Sequence, residues 1–326
     1  MITTRVLKTI LILSCFGVPL AAIEASAQSY PSKPIKMIVP FAPGGADVVA
    51  RVVADRMAAA LGQPVIVDNR PGGGGIVGTK ATSLADADGY TLTLASPGQM
   101  TIAPAVRKSL DYDPLKDFAP VAMVAVSPFV LAINPGLPAT TVRELIDYAK
   151  ANPGKVNFAS PGAGTTSQLF GELLKQNSGI DIVHVPYRGS APAIVDLVAG
   201  QVHMYFDNLR NLQPFFKSGK LRALAVTTES RAAAMSELPT MIESGLTGFS
   251  GVYWNGVLAP ARTPATIVEQ LNRVINDGLT STEMGDTIRR LGMEPKVGTP
   301  REFSELIAAE IKKWTAVARG ANLTID

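Results

Sequence analysis

A strand–loop–helix–strand arrangement occurs twice in this chain, with Gly44 in the first loop and Gly162 at the corresponding place in the second, 118 residues later. In each copy an apolar run predicts a buried strand, glycine and proline break it, and apolar residues at helical spacing follow until a glycine ends the helix. A strand joined through a helix to the next strand forms a parallel pair. We therefore expect an α/β protein whose two halves begin alike, with strands at residues 35–41, 64–68, 155–159 and 180–185.

Two further apolar runs, residues 121–133 and 252–259, are long enough to carry the chain from one half to the other and back. A double crossing of this kind predicts two lobes that are joined by a hinge and separated by a cleft. We assign residues 28–126 and 253–326 to lobe 1 and residues 127–252 to lobe 2, each a doubly wound α/β unit. In open α/β sheets, ligands bind at the carboxyl ends of the strands, where both Gly-rich loops are expected.

The composition narrows the possible functions. The 326 residues allow about two domains, and a formal net charge of +3 without a block of like charges argues against binding to nucleic acid or to an anionic membrane. One cysteine excludes a disulfide scaffold and two histidines argue against a His-rich metal centre, so no metal or cofactor is expected. Gly73, Gly75 and Gly78 match the spacing of a dinucleotide-binding loop but do not leave a strand directly, which argues against that function.

The first 27 residues predict an export signal rather than a part of the fold. Two basic residues precede an apolar run at 10–22 that is too short to span a bilayer well, and a small-x-small motif follows at 25–27. We expect cleavage after Ala27, which would release an exported, soluble chain. The alternative, a lipid anchor on Cys15, fits the very short segment before that cysteine poorly.

The two Gly-rich loops are candidates for an anion site, because the free N–H groups and the positive dipole end of a helix start favour negative charge. We expect Asp47 to cap the first helix, and we expect hydroxyls at the start of the second from Thr165, Thr166 and Ser167. Facing each other across a cleft, the loops would hold the two ends of a dianion. The alternative is that glycine and proline only turn a strand into a helix, which is common in α/β folds.

Five other side chains have both a structural and a functional interpretation. His184 and His203 lie in strand-like segments, which favours ordinary core or surface histidines over catalytic bases. Asp207 ends a strand, where it either forms a turn or contacts a ligand. Arg188 could neutralise a ligand charge, although solvated arginines are commoner, and Trp254 either lines the cleft or packs in the hinge.

An ordered set of short motifs, beginning at Tyr30, carries a family resemblance. The motifs are Tyr30-Pro-Ser-Lys-Pro-Ile, Val39-Pro-Phe-Ala-Pro-Gly-Gly45, Asn69-Arg-Pro-Gly-Gly-Gly-Gly75, Asp88-Gly-Tyr-Thr91, Asp113-Pro-Leu-Lys-Asp-Phe118, His184-Val-Pro-Tyr-Arg-Gly-Ser190, Gly219-Lys-Leu-Arg-Ala-Leu-Ala-Val226 and Leu258-Ala-Pro-Ala261. The chain resembles the substrate-binding proteins of tripartite tricarboxylate transporters, the Bug receptors of proteobacteria. The resemblance implies a periplasmic binding protein of type II, with two lobes that close like a Venus flytrap.

The same resemblance implies a ligand, a partner and a set of site residues. Members bind small carboxylates, including amino acids, citrate-like acids and aromatic acids, and hand them to membrane permease subunits; we expect a monomer. Backbone amides, hydroxyls and ordered water in the two Gly loops hold the ligand carboxylates. Carried over by motif, the candidate ligand-binding residues are Phe41, Pro43, Gly44, Gly45 and Ala46 on one lobe, Ser160, Gly162, Gly164, Thr165, Thr166 and Ser167 on the other, and Ser96, Pro97, Tyr187, Gly189 and Asp207 as further wall positions.

One departure from the family pattern lies in the first loop. Two residues, often with a hydroxyl, usually separate the Gly pair from the aspartate at the helix start. Here only Ala46 separates Gly45 from Asp47, so the loop is one residue shorter and lacks that hydroxyl.

Two other functions stay open at the level of sequence. One is an exported, hydrolase-like enzyme that works in the same cleft, against which the chain shows no nucleophile–base motif. The other is a ligand-binding partner of a signalling system.

Overall fold

The structure, a computed structural model, describes residues 30–326; the predicted signal segment and Cys15 lie outside the described residues. Its strands are β1 Ile35–Val39, β2 Val65–Asn69, β3 Thr91–Ala95, β4 Phe118–Ile133, β5 Val156–Ser160, β6 Ile182–Pro186, β7 Met204–Asn208, β8 Arg222–Val226, β9 Val252–Pro260 and β10 Glu294–Pro295. Its α-helices are α1 Gly45–Leu61, α2 Ile76–Ser83, α3 Ala103–Val106, α4 Val142–Ala151, α5 Thr166–Ser178, α6 Ser190–Val198, α7 Leu209–Lys217, α8 Ala265–Thr280, α9 Thr282–Arg290 and α10 Pro300–Gly320. None of the helices in this part of the chain has the length and apolar character needed to cross a membrane.

Both predicted parallel units are present. β1 pairs in parallel with β2 and β3, and β5 pairs in parallel with β6 and β7. The helix of each unit ends at a glycine in the left-handed conformation, Gly62 with φ 68° and Gly179 with φ 66°, which glycine adopts without a steric penalty. The Gly-rich loop of each unit therefore lies at the carboxyl edge of its parallel strands, as the sequence predicts.

The chain crosses between the two halves on β4 and β9, which confirms the predicted double crossing. These strands pair antiparallel from Phe118 opposite Pro260 to Pro128 opposite Val252. β9 also pairs with β3, and β4 continues past the crossing to pair with β7 and β8. The strands consequently run in the order β2-β1-β3-β9-β4-β7-β5-β6, with β8 and β10 attached to β4.

The last helix contacts the hydrophobic core of both halves. In α10, Phe303 packs edge-on against Trp254 of β9 with ring centroids 5.1 Å apart. About three turns further on, Trp314 packs edge-on against Phe170 of α5, with centroids 5.2 Å apart. Because α10 packs against both halves, its residues do not assort with one lobe only, and the division at residues 126/127 and 252/253 stays a prediction.

The first helix begins earlier than expected, and Asp47 does not cap it. The chain turns at Gly44, α1 begins at Gly45, and no side chain bonds to the first N–H groups of the helix. Asp47 is the third residue of α1, is 6% exposed, and accepts hydrogen bonds of 3.0 and 3.1 Å from Arg51 one turn later. With only Ala46 between Gly45 and Asp47, the turn at Gly44 carries the aspartate into the helix.

Candidate ligand-binding site

A cavity of about 430 Å³ lies between the two halves, at the carboxyl ends of β1, β3, β5 and β7. That volume is within the range of small-molecule sites. Phe129 and Tyr253 of the crossing strands contribute to its wall. The other lining residues are Phe41, Gly73, Gly74, Ile76, Ser96, Gly98, Ala103, Val106, Arg107 and Ile325 on one side, and Pro161, Ala163, Gly164, Thr165, Thr166, Ser167, Ser190, Asp207, Asn208 and Asn211 on the other.

The structure brings part of the predicted residue set together. Seven of the candidates line this cavity: Phe41, Ser96, Gly164, Thr165, Thr166, Ser167 and Asp207. Two more, Gly45 and Ala46, line a smaller adjoining cavity of about 120 Å³. Pro43, Gly44, Pro97, Ser160, Gly162, Tyr187 and Gly189 line neither of these cavities. The Tyr187 hydroxyl, for example, is directed at Asp196, 2.8 Å away.

The loop after β5 presents the start of α5 to the cavity. Gly162 and Gly164 have φ of 149° and 69°, and the Thr165 hydroxyl donates to the main-chain oxygen of Gly162 over 2.7 Å. That hydroxyl therefore fixes the loop and does not cap the helix, contrary to expectation. Within residues 30–326, the N–H groups of Thr166 and Ser167 have no acceptor, so both can bind a ligand anion.

Arg210, at the start of α7, lies against Gly45 across the cleft. A Cβ built on Gly45 would lie 2.9 Å from a guanidinium nitrogen of Arg210, so a side chain there would displace the guanidinium. Both residues line the smaller cavity, which meets the larger one at Asn208 and Tyr253. Arg210 forms no ion pair in the described part of the chain. A guanidinium beside the positive end of α1 favours an anion in the adjoining cavity.

Asp207 is the buried acid of the cavity. Its side chain is 2% exposed and accepts hydrogen bonds from the Asn208 N–H at 2.8 Å and from Asn211 Nδ2 at 3.1 Å. Burial raises the pKa of Asp207 above its ordinary value of 3.8. Such a carboxyl can donate a hydrogen bond to the ligand in its neutral form, or pair with a positive group on the ligand when it is ionised.

Two more helix starts reach the same cavity. Ser190 is the first residue of α6, and its Oγ lies 3.0 Å from the Tyr205 hydroxyl, which donates to it. Asn208 precedes α7, and its Oδ1 is buried without a hydrogen-bond partner in residues 30–326. Together with α5, three positive dipole ends therefore face one cavity, which favours negative charge in it.

Four consecutive glycines after β2 form a part of the wall that the sequence reasoning missed. Gly72, Gly73, Gly74 and Gly75 have φ of 141°, 58°, 71° and 98°. Gly73 and Gly74 line the cavity, and a Cβ on Gly75 would lie 3.1 Å from the ring of Phe41. The sequence reasoning considered these glycines only for a dinucleotide-binding loop. Their unbroken run is instead the signal for a backbone that other groups approach closely.

A second missed segment closes one end of the cavity. Ile325 donates from its N–H to the Val106 carbonyl oxygen at 2.8 Å, and its own carbonyl accepts from the Lys108 N–H at 3.3 Å. Arg107, between Val106 and Lys108, also lines the cavity, and its guanidinium donates to the Asp326 main-chain oxygen at 3.1 Å. No local motif predicts these contacts, because they join residues that are more than 200 positions apart.

The remaining candidates lie outside the cavity. The Nε2 of His184 is 2.6 Å from Ser160 Oγ, and burial, with a contribution from the charge of Lys175, lowers the pKa of His184 to about 4. His203 is partly buried, does not line the cavity, and accepts a hydrogen bond at Nδ1 from the Asn157 N–H at 3.1 Å. Trp254 is fully buried and packs in the hinge, and Arg188 is exposed.

The contact between Ser160 and His184 does not make a hydrolase site. Ser160 is fully buried, its hydroxyl donates to the Gly162 carbonyl oxygen at 2.8 Å, and neither Ser160 nor His184 lines the cavity. A nucleophile and its base must reach a substrate, which these two groups do not. Within residues 30–326, no group of three His, Cys, Asp or Glu side chains is placed to hold a metal ion. The cavity is therefore suited to non-covalent binding of an anion.

Comparison with known proteins gives the family. Residues 49–323 match the model of the tripartite tricarboxylate transporter family receptor. The chain belongs to this family. It is 41% identical over 306 residues to protein BugT of Bordetella pertussis, an alignment that covers 93% of this chain and 94% of that protein.

Solved structures agree with the assignment of this chain to the receptor family. The Rpa4515 protein of R. palustris, solved with adipate, superposes with a TM-score of 0.77 at 37% identity, covering 90% of this chain and 99% of that one. MatC from Rhodopseudomonas palustris, with bound malate, superposes with a TM-score of 0.72 at 32% identity, covering 88% and 99%. The tripartite tricarboxylate transporter receptor therefore has the two-lobed fold of type II periplasmic binding proteins, and it is a solute-binding receptor and not an enzyme.

Proposed function

We propose that this receptor captures a small carboxylate in the cavity between its lobes and delivers it, in the periplasm, to the permease subunits of a tripartite tricarboxylate transporter. The observation that carries the proposal is the convergence of three helix starts on one cavity, with the N–H groups of Thr166 and Ser167 lacking an acceptor in the described residues. Hydrogen bonds from such groups to a carboxylate are worth about 1.5–3 kcal/mol each.

A dicarboxylate is the form of ligand that the two cavities favour. One carboxylate would bind the start of α5, and the other would bind in the smaller cavity, beside the Arg210 guanidinium. Arg107 adds positive charge to the wall of the larger cavity. Adipate and malate, the ligands of the two related structures, are both dicarboxylates, which supports this class.

Calorimetry tests the ligand class directly. The receptor should bind one or more acids in a panel of adipate, malate and other dicarboxylates, and should bind their diamides far more weakly, because the diamides lack the charge that the helix starts favour. Equal affinity for an acid and its diamide would show that the cavity does not recognise the carboxylate.

A hydroxyl of the α5 start provides a second test. Thr166→Val removes a hydroxyl from the cavity, and we expect about tenfold weaker binding of the acid identified in the panel. Thr282→Val is the matched control, since Thr282 is also the first residue of its helix, α9, but is exposed outside the cavity. An equal effect of the two changes would place the hydroxyl of Thr166 outside the ligand contacts.

Lobe closure and export each have their own measurement. If the lobes close on the ligand, small-angle scattering should give a smaller radius at saturation, and unchanged scattering would count against closure.

Intact mass of periplasmic material should correspond to a chain that begins near Gln28, as the small-x-small motif predicts. Retained residues 1–27 would contradict the proposed cleavage. Loss of uptake of the bound acid in cells without the receptor would support delivery to the permease.

A further inference from the structure

A second cavity of about 540 Å³ lies on the opposite side of the crossing strands from the ligand site. Neighbouring residues of a strand point to opposite faces. In β9, Val252 lines this second cavity, whereas Tyr253 lines the ligand site. In β4, Val126 lines it, whereas Ser127 faces the smaller cleft cavity. The second cavity is called the hinge cavity below.

One partly buried cation of the hinge cavity lies beyond ion-pair distance of Glu310 and Glu229, the two acids whose charges act on it. Lys313 of α10 is partly buried, and its amine donates to the main-chain oxygen of Ser250 and lies 3.4 Å from Ser250 Oγ. Lys313 forms no ion pair within residues 30–326. Burial lowers the pKa of Lys313, so the charged amine lacks solvation that a bound anion would replace.

The acidic groups of the hinge cavity leave that amine available. Glu310 lies in the wall, but its Oε2 already accepts hydrogen bonds from Trp254 Nε1 at 3.0 Å and Thr101 Oγ1 at 3.1 Å, and neither donor lines the cavity. Glu229 also acts on the charge of Lys313, but it is exposed at the rim, beyond ion-pair distance, where solvent screens it. The amine of Lys313 is therefore the charged group best placed to receive a ligand.

The remaining wall favours a ligand with an apolar body. Val126, Val252 and Leu306 present hydrocarbon to the hinge cavity, beside the ring of Trp314. Thr228 Oγ1, also in the wall, is buried without a hydrogen-bond partner in the described part of the chain. This hydroxyl is covered by protein atoms, so it takes no part in binding a ligand in the cavity.

We propose that the hinge cavity is a second small-molecule site, which binds an amphiphilic monocarboxylate with its carboxylate on Lys313 and its apolar body on the valines of the two crossing strands. The site is separate from the ligand cleft and does not depend on the identity of the cleft ligand. Its volume falls in the range of sites that enclose small ligands.

Titration with octanoate, followed by tryptophan fluorescence because Trp314 lines the hinge cavity, tests the proposal on the mature chain. The receptor should bind octanoate saturably, and 1-octanol, which lacks the charge, about tenfold more weakly. Lys313→Met keeps the apolar stem and should weaken octanoate binding about tenfold or more. Lys312→Met is the matched control, since Lys312 is the exposed neighbour on the same helix, and it should leave binding within about twofold.

Two further experiments show that a variant that loses binding is still folded and that the two cavities bind independently. Lys313→Arg keeps the charge and should retain most of the affinity, and the thermal unfolding midpoint of each variant shows that it is folded. A saturating cleft dicarboxylate should not displace octanoate, because the two cavities lie on opposite faces of β9. Equal octanoate affinity in Lys313→Met and Lys312→Met, equal binding of octanol and octanoate, displacement by the dicarboxylate, or no saturable binding would each overturn the proposal.

Discussion

Ile325 occupies the space in which a side chain on Gly164 would lie. A Cβ built on Gly164 would be 2.5 Å from Ile325 Cδ1 and 3.3 Å from Val106 Cγ2. Gly164 also has φ of 69°, in the left-handed region. Glycine is therefore required at this position for two reasons: the backbone conformation, and the close approach of the segment that closes the end of the ligand cavity.

Replacement of Gly164 by alanine should lower both stability and ligand affinity. The left-handed backbone costs about 1–2 kcal/mol for a residue with a Cβ, and displaced Ile325 changes the wall of the cavity. Gly179→Ala is the matched control, since Gly179 has φ of 66° with no atom within 4 Å of the added Cβ. Urea unfolding should show a loss of about 1–2 kcal/mol in Gly179→Ala and at least as much in Gly164→Ala, whereas calorimetry should show weaker ligand binding only in Gly164→Ala. Unchanged affinity in that variant would separate Gly164 from the site.

The approach of Arg210 to Gly45 predicts a charge-dependent loss of binding. Arg210→Met should weaken the binding of a dicarboxylate about tenfold or more, because a charge-assisted hydrogen bond to one carboxylate is lost. The monoamide of the same acid should lose much less if its amide end takes the place beside Arg210. Lys217→Met, in the last turn of α7, removes an exposed charge from the same helix and should have little effect. Equal losses for the acid and its monoamide would contradict a direct contact.

The parts of the fold that the sequence predicts are those encoded locally. Each of these parts is recognisable from a short stretch of sequence. They are the apolar runs of β1 and β5, the glycines that end α1 and α5, and the long apolar runs of β4 and β9. Periodicity and turn chemistry are enough to recognise such elements. The βαβ units and the double crossing follow from them.

The parts of the site that the sequence does not predict depend on contacts between distant segments. Arg107 and Arg210 bring guanidinium groups to cavities whose Gly-rich loops contain no cation, and Ile325 reaches Gly164 from 161 residues away. Arg188, which sequence reasoning offers as a cation for the ligand, is exposed and lines neither cavity. Long-range packing decides which charged side chain faces the ligand, and the spacing of residues along the chain does not predict that packing.

Asp207→Asn should make stability less dependent on pH. Burial raises the pKa of Asp207 in the folded state, so folding favours its neutral form. The stabilisation from that neutral form is complete below about pH 4, the unfolded value, and is lost as the pH rises through the folded pKa. Asparagine cannot ionise, so the difference in unfolding free energy, variant minus wild type, should increase from pH 4 to pH 7.

Ligand titration adds a second readout: an anionic ligand should bind at least as well to Asp207→Asn, whereas a ligand with an ammonium group beside Asp207 should bind more weakly. A constant stability difference between the two pH values would refute the argument.

His184 should make the protein less stable in mild acid. Burial lowers the pKa of His184 to about 4, whereas in the unfolded chain it has its ordinary value of 6.5. Between these values only the unfolded state takes up the proton, so stability present above pH 6.5 is lost as the pH falls towards 4. Allowing for partial exposure of the ring, we expect His184 to account for about 1–2 kcal/mol of that loss. His184→Asn should remove this share, so its unfolding free energy should fall less than that of the wild type between pH 7 and pH 4.5. Because the mature chain has only two histidines, a proton NMR titration can follow both rings, with His203→Asn to assign the signals. A His184 signal that titrates near 6.5 would contradict the buried, neutral imidazole.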